Sequence, residues 1–92
     1  MAPDRQPPKA AAVGSMSRVH DIAVGIINAR FVDLLAGNTS AQLHAETGMA
    51  YEMAHSLGAI DVDEYTHYVA RHNRITERQH QELMAKLEGL RA

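Results

Sequence analysis

Residues 18–36 read Arg18-Val19-His20-Asp21-Ile22-Ala23-Val24-Gly25-Ile26-Ile27-Asn28-Ala29-Arg30-Phe31-Val32-Asp33-Leu34-Leu35-Ala36, and Gly37-Asn38 follows. Ser17 is placed to cap a helix over this run, and Gly-Asn is a common helix stop. On a helical wheel Val19, Ile22, Ala23, Val24, Ile26, Ile27, Phe31, Leu34 and Leu35 cover well over half the circumference. A surface helix of a monomer carries a narrower apolar stripe. The arc therefore asks for two neighbours, and a second subunit is the natural source of one.

The rest of the 92-residue chain fits that reading. A chain this short buries only roughly 60–65% of its unfolded surface, so a partner would add to its stability. It has no cysteine, which excludes disulfide stapling, thiolate zinc sites and cysteine nucleophiles. Nine basic residues stand against eleven acidic ones, a balance that argues against a protein built around a phosphate backbone. No apolar run reaches the ~20 residues of a membrane span. Residues 1–16 hold all three prolines and show no amphipathic period. They read as a disordered tail ahead of one helical domain, 17–92. The prolines also break up any signal-peptide core, and a cytoplasmic location is expected.

Thr39 opens a second helix with a capping box, Thr39-x-x-Gln42, and Gly58 closes it. Leu43, Ala50, Met53, Ala54 and Leu57 form its expected buried stripe, with Glu46 inside it. Gly48 costs this helix about 1 kcal/mol relative to alanine. The last third repeats with a period of fifteen: Ile60-Asp61-Val62-Asp63-Glu64 lies over Ile75-Thr76-Glu77-Arg78-Gln79. Each copy carries an isoleucine, a capping residue and then Glu or Gln three positions after the cap. The pattern predicts two capped helices, about 62–72 and 77–90, with one continuous helix as the alternative. The expected fold class is all-α: three to four short helices in a hairpin or bundle, completed by homodimerisation.

Three of the six histidines follow a glutamate by three positions: Glu52-x-x-His55, Glu64-x-x-His67 and Glu77-x-x-His80. On a helix this spacing sets carboxylate and imidazole side by side, and facing helices use it to hold two metal ions. The first two pairs point away from their helices' apolar stripes and read as solvated. His80 lies beside Leu83 and Leu87, and His72 continues the line of Tyr65 and Val69. Glu46, His72, Glu77 and His80 thus form the inward-facing polar group. They read either as a satisfied network that sets helix register or as candidate ligands for Fe, Mn or Zn.

The stretch His72-Asn73-Arg74-Ile75-Thr76-Glu77-Arg78-Gln79-His80 resembles the segment carrying the Glu-x-x-His ligands of encapsulin-associated ferritin-like proteins. Those are short helical hairpins that build a di-iron site when two subunits pair. The resemblance implies Glu77 and His80 as ligands, with Glu46 as an upstream carboxylate. It covers those nine residues; Gly37-Asn38 interrupts the long first helix of that family, and the C-terminal Leu87–Ala92 departs from its cargo-loading peptide.

No nucleophile elbow, phosphate-binding loop or complete catalytic set is present, and an enzyme is not expected. Residues 61–92 hold five basic and six acidic side chains, too sparse a footprint for a recognition helix. Met49, Met53 and Met84 fit core packing or an adaptable groove. The leading functional expectation is a small non-enzymatic interaction module, regulatory or accessory, acting as a homodimer and through contacts with a further protein partner. Its expected interface is Ile22, Ile26, Ile27, Phe31, Leu34, Leu35, Tyr65 and Tyr68, and no cofactor is expected. The alternative is a carboxylate–histidine metal-binding bundle formed across the dimer; a nucleic-acid-binding regulator is the weaker one.

Overall fold

A computed structural model describes the backbone of residues 9–91 and the side chains of residues 17–91. It is all-α, with three helices and no strand among the described residues: α1 (Lys9–Leu35), α2 (Ala41–Ser56) and α3 (Val62–Arg91). The expected tail is corrected from Lys9 onward, where the backbone is already helical; residues 1–8 lie outside the described residues. Lys9-Ala10-Ala11-Ala12 are strong helix formers.

Both inter-helix turns are built by glycine. At the end of α1, Gly37 N–H donates to Leu34 O (3.1 Å) and Asn38 N–H to Asp33 O (3.4 Å). At the end of α2, Gly58 N–H donates to His55 O (3.0 Å) and Ala59 N–H to Ala54 O (2.8 Å). These are two Schellman motifs, and they require φ of +104° at Gly37 and +77° at Gly58, where a Cβ is disfavoured. The predicted stops at Gly37 and Gly58 stand where expected.

The α2 cap differs by one residue. Ser40, not Thr39, is the N-cap, and its Oγ accepts from Leu43 N–H at 3.1 Å. Asn38 Oδ1 accepts the Ser40 N–H at 3.0 Å, so the side chain at position 38 fixes which hydroxyl reaches the helix. α3 opens with a reciprocal capping box: Glu64 N–H to Asp61 Oδ1 (2.8 Å) and Asp61 N–H to Glu64 Oε1 (3.0 Å). Its counterpart fifteen residues later does not form. The predicted break at 73–76 is corrected to one continuous helix. Extending an existing helix is easier than nucleating another, and no glycine or proline intervenes before Gly89. Ile75, seven residues after Tyr68 and thus on its face, is buried with it.

The helices' relative directions follow from their cross-links. His20 on α1 bonds Glu64 on α3, and Leu34 O accepts from Gln79 Nε2 (3.1 Å), so α1 and α3 run parallel. His44 meets Gln79 whereas Tyr51 meets His72, so α2 runs antiparallel to α3. The core between them is Ile27, Phe31 and Leu34 from α1, Leu43, Tyr51 and Ala54 from α2, with Ile60, Tyr68 and Ile75. Phe31 is fully buried; its ring stacks on Tyr68 at 5.9 Å, and the Arg71 guanidinium covers it at 4.5 Å. Past Gln79, every residue of α3 to Arg91 is exposed. That free run carries α3 past the end of the bundle.

Candidate functional site

α1 divides its apolar arc as its breadth suggests. Ile27, Phe31 and Leu34 enter the chain's own core, whereas Ile22 (57% exposed), Ile26 (50%) and Leu35 (56%) stay at the surface. The expected interface is therefore split. Ile27, Phe31, Leu34 and Tyr68 are corrected to core residues, because α2 and α3 together cover one flank of α1. Tyr65 is half-buried, its hydroxyl donating to Glu52 Oε2 (3.0 Å) and its ring stacking on His55 at 4.4 Å.

The uncovered flank of α1 continues onto α2. Ile26 and Met49 line a shallow depression with Arg30, Gln42, Ala45, Glu46 and Ala50. One turn further along the two antiparallel helices stand Ile22 and Met53, also exposed. Val19 and Leu57 extend the two rows. Met53 and Leu57, expected in the α2 core, are corrected to this outer row. Thr47 and Tyr51 take their place, since the α2 stripe faces α1 and α3 at once. Thr47 is fully buried because its Oγ1 donates to Leu43 O (2.8 Å), leaving no orphan polar atom. The result is a contiguous two-helix apolar face with Arg30 and Glu46 at its rim.

A second polar feature lies between α2 and α3. Gln79 Nε2 donates to Leu34 O, which leaves Gln79 Oε1 to accept from His44 Nε2 at 2.8 Å. In the Nε2–H tautomer that this bond selects, His44 presents Nδ1 as an acceptor to His72 Nε2–H (2.9 Å), and His72 Nδ1 accepts the Tyr51 O–H (2.9 Å). All donors run one way, from Tyr51 through both histidines to the end of α1. Burial, and next the neighbouring His44, lower the pKa of His72. At the other end of the bundle, the hydrogen bond that His20 donates to Glu64, and to a lesser degree the one to Asp21, raise the His20 pKa. Glu64 in turn is lowered, first by His20 and then by the Asp61 N–H.

Of the four metal candidates, His72 alone is drawn inward. Glu46 is exposed and accepts from Gln42 Nε2 (3.1 Å); Glu77 is exposed on α3, and His80 is exposed at the start of its free run. Their inward placement is corrected: Glu46 sits on the α1–α2 outer row, and α3 outlasts its neighbours before His80. Glu64, expected in solvent beside His67, turns instead to His20. Among the described residues, no group of three or more histidines and carboxylates is placed to hold a metal ion, and no helix is long and apolar enough to cross a membrane. Compared with protein-family models, curated proteins and solved structures, the chain matches none.

The residues missed from sequence are His44, Tyr51 and Gln79. Their signal was available: His44 and Tyr51 are seven apart on α2, as His72 and Gln79 are on α3. Two polar pairs at two-turn spacing are the mark of facing helices that share a network.

Proposed function

We propose that this chain is a non-enzymatic interaction module that works as a homodimer, two copies pairing through the α1–α2 outer face. The observation that carries the reading is the double row Val19, Ile22, Ile26 on α1 and Met49, Met53 on α2 with its C-cap Leu57, each residue half-exposed or more. Contiguous apolar patches of this kind mark association surfaces, and two such faces laid together make a four-helix core. A two-fold axis demands a self-complementary patch. Arg30 and Glu46, on opposite helices at the rim of the same depression, satisfy that demand: each copy's arginine faces the other's glutamate.

Charge exchange tests the pairing. In sedimentation velocity, Arg30→Glu and Glu46→Arg each weaken the dimer, and the double variant restores it. Single variants that sediment as the wild type, or a double variant weaker than either single, would refute this mode of pairing.

A further inference from the structure

Where α3 runs past the bundle, it and the α1–α2 turn enclose a groove of about 750 Å³. Its floor is apolar, with Leu35 and Leu83 at the surface over the core residues Leu34 and Ile75; along its wall stand Arg74, Arg78 and Lys86. Among the described residues the ion pairs are those of His20 with Asp21 and Glu64, so these three cations have none. Glu82 is the one acid in the lining, against which Arg71 adds a fourth cation. Four cations against one acid leave the lining with an excess of positive charge, which an acidic ligand would offset.

We propose that this groove binds an amphipathic helix from a partner protein, one whose apolar stripe is flanked by acidic side chains. The floor matches the stripe and the wall matches the carboxylates. Arg71 to Lys86 spans roughly 22 Å of helix axis, about four turns of such a partner. A helix satisfies its own backbone, which matters because the groove supplies few acceptors for a strand's N–H groups. Single-stranded nucleic acid fits less well: its binding sites stack successive bases on aromatic rings, and this groove is lined by no Phe, Tyr or Trp, with His80 as its one ring. A membrane fits less well too, since the cations line a concavity instead of a protruding face. The chain's own acidic turn is already engaged, with Asp61 and Glu64 in the capping box and Glu64 on His20. The site lies on a different face from the α1–α2 rows and does not rest on them.

Fluorescence anisotropy on the full chain tests this with four probes: a synthetic helix with leucines flanked by glutamates, its lysine-for-glutamate counterpart, oligothymidylate, and phosphatidylserine vesicles. The glutamate peptide is expected to bind, more weakly as salt rises, and to lose about tenfold or more in affinity in the Arg74→Glu/Arg78→Glu variant. Ile26→Glu leaves its affinity unchanged, and the lysine peptide does not bind. Both arginines are exposed, so circular dichroism should match the wild type; the glutamine variants at both positions serve if it does not. No binding of the glutamate peptide, or binding indifferent to the arginine changes, would overturn the proposal. So would equal affinity for oligothymidylate or vesicles, or a double variant that dissociates the protein's own dimer, which would put a second copy in the groove.

Discussion

The imidazoles of His44 and His72 lie in nearly parallel planes, 7° apart, with centroids 5.1 Å and facing nitrogens 2.9 Å apart. That centroid distance is what two rings give when they meet nitrogen to nitrogen, edge on. The contact is a directed N–H···N hydrogen bond, and it needs at least one of the two facing nitrogens unprotonated. Gln79, which spends its Nε2 on Leu34 O, fixes the direction from one side by accepting from His44 Nε2, so α2 docks on α3 through a bond that keeps at least one of the two imidazoles neutral.

Acid is expected to loosen this docking. The folded-state pKa of His72 lies below its ordinary 6.5. Its contribution to stability is therefore complete above pH 6.5 and is lost as pH falls through the folded value. Urea unfolding at a series of pH values checks this: His72→Gln flattens the decline of stability below neutral pH. Tyr51→Phe, which leaves His72 Nδ1 without its donor, is expected to cost about 1 kcal/mol at pH 8.

The other inter-helix tie responds with opposite sign. Glu64 holds His20 above 6.5, so its contribution is full below pH 6.5, down to where Glu64 itself protonates, and is lost as pH rises through the folded pKa. Histidine proton shifts followed by NMR should show His20 titrating above His72. Glu64→Gln is expected to bring His20 back toward 6.5 and leave His72 in place.

Two glycines are expected to respond oppositely to alanine. At Gly48 an added methyl stands 3.8 Å from the Tyr51 hydroxyl, ordinary contact inside a helix, so Gly48→Ala stabilises by about 1 kcal/mol. At Gly58, with φ of +77°, Gly58→Ala destabilises by about 1 kcal/mol. Thermal melts of both variants decide it.

The cap of α2 gives a further contrast. Ser40→Ala removes the acceptor of the Leu43 N–H and is expected to cost about 1 kcal/mol. Thr39→Ala is expected to cost a few tenths at most, measured by the same melts.

Local chemistry was the legible part of the fold. Gly37, Gly58 and the Asp61–Glu64 box announce their turns and cap within a few residues, and the structure places them there. The continuity of α3 was not legible, because Ile75-Thr76-x-x-Gln79 carries a start signal that is overridden when Gln79 is drawn to His44 and Leu34. The face assignments on α2 failed for a related reason. A helix wedged between two neighbours buries a stripe set by both, which is why Thr47 and Tyr51 go inside while Met53 and Leu57 stay out. At the candidate site, the excess apolar arc of α1 could be read from composition and spacing alone. Which part of it remains uncovered could not, because that depends on where α2 crosses.

Sedimentation equilibrium of the wild-type chain beside Ile22→Glu/Ile26→Glu, over micromolar concentrations, reaches the central proposition most directly. The wild type is expected at twice 10.1 kDa, and the variant at the monomer mass with its helical circular dichroism retained. A wild-type chain at the monomer mass throughout, or a dimer untouched by both glutamates, would contradict it.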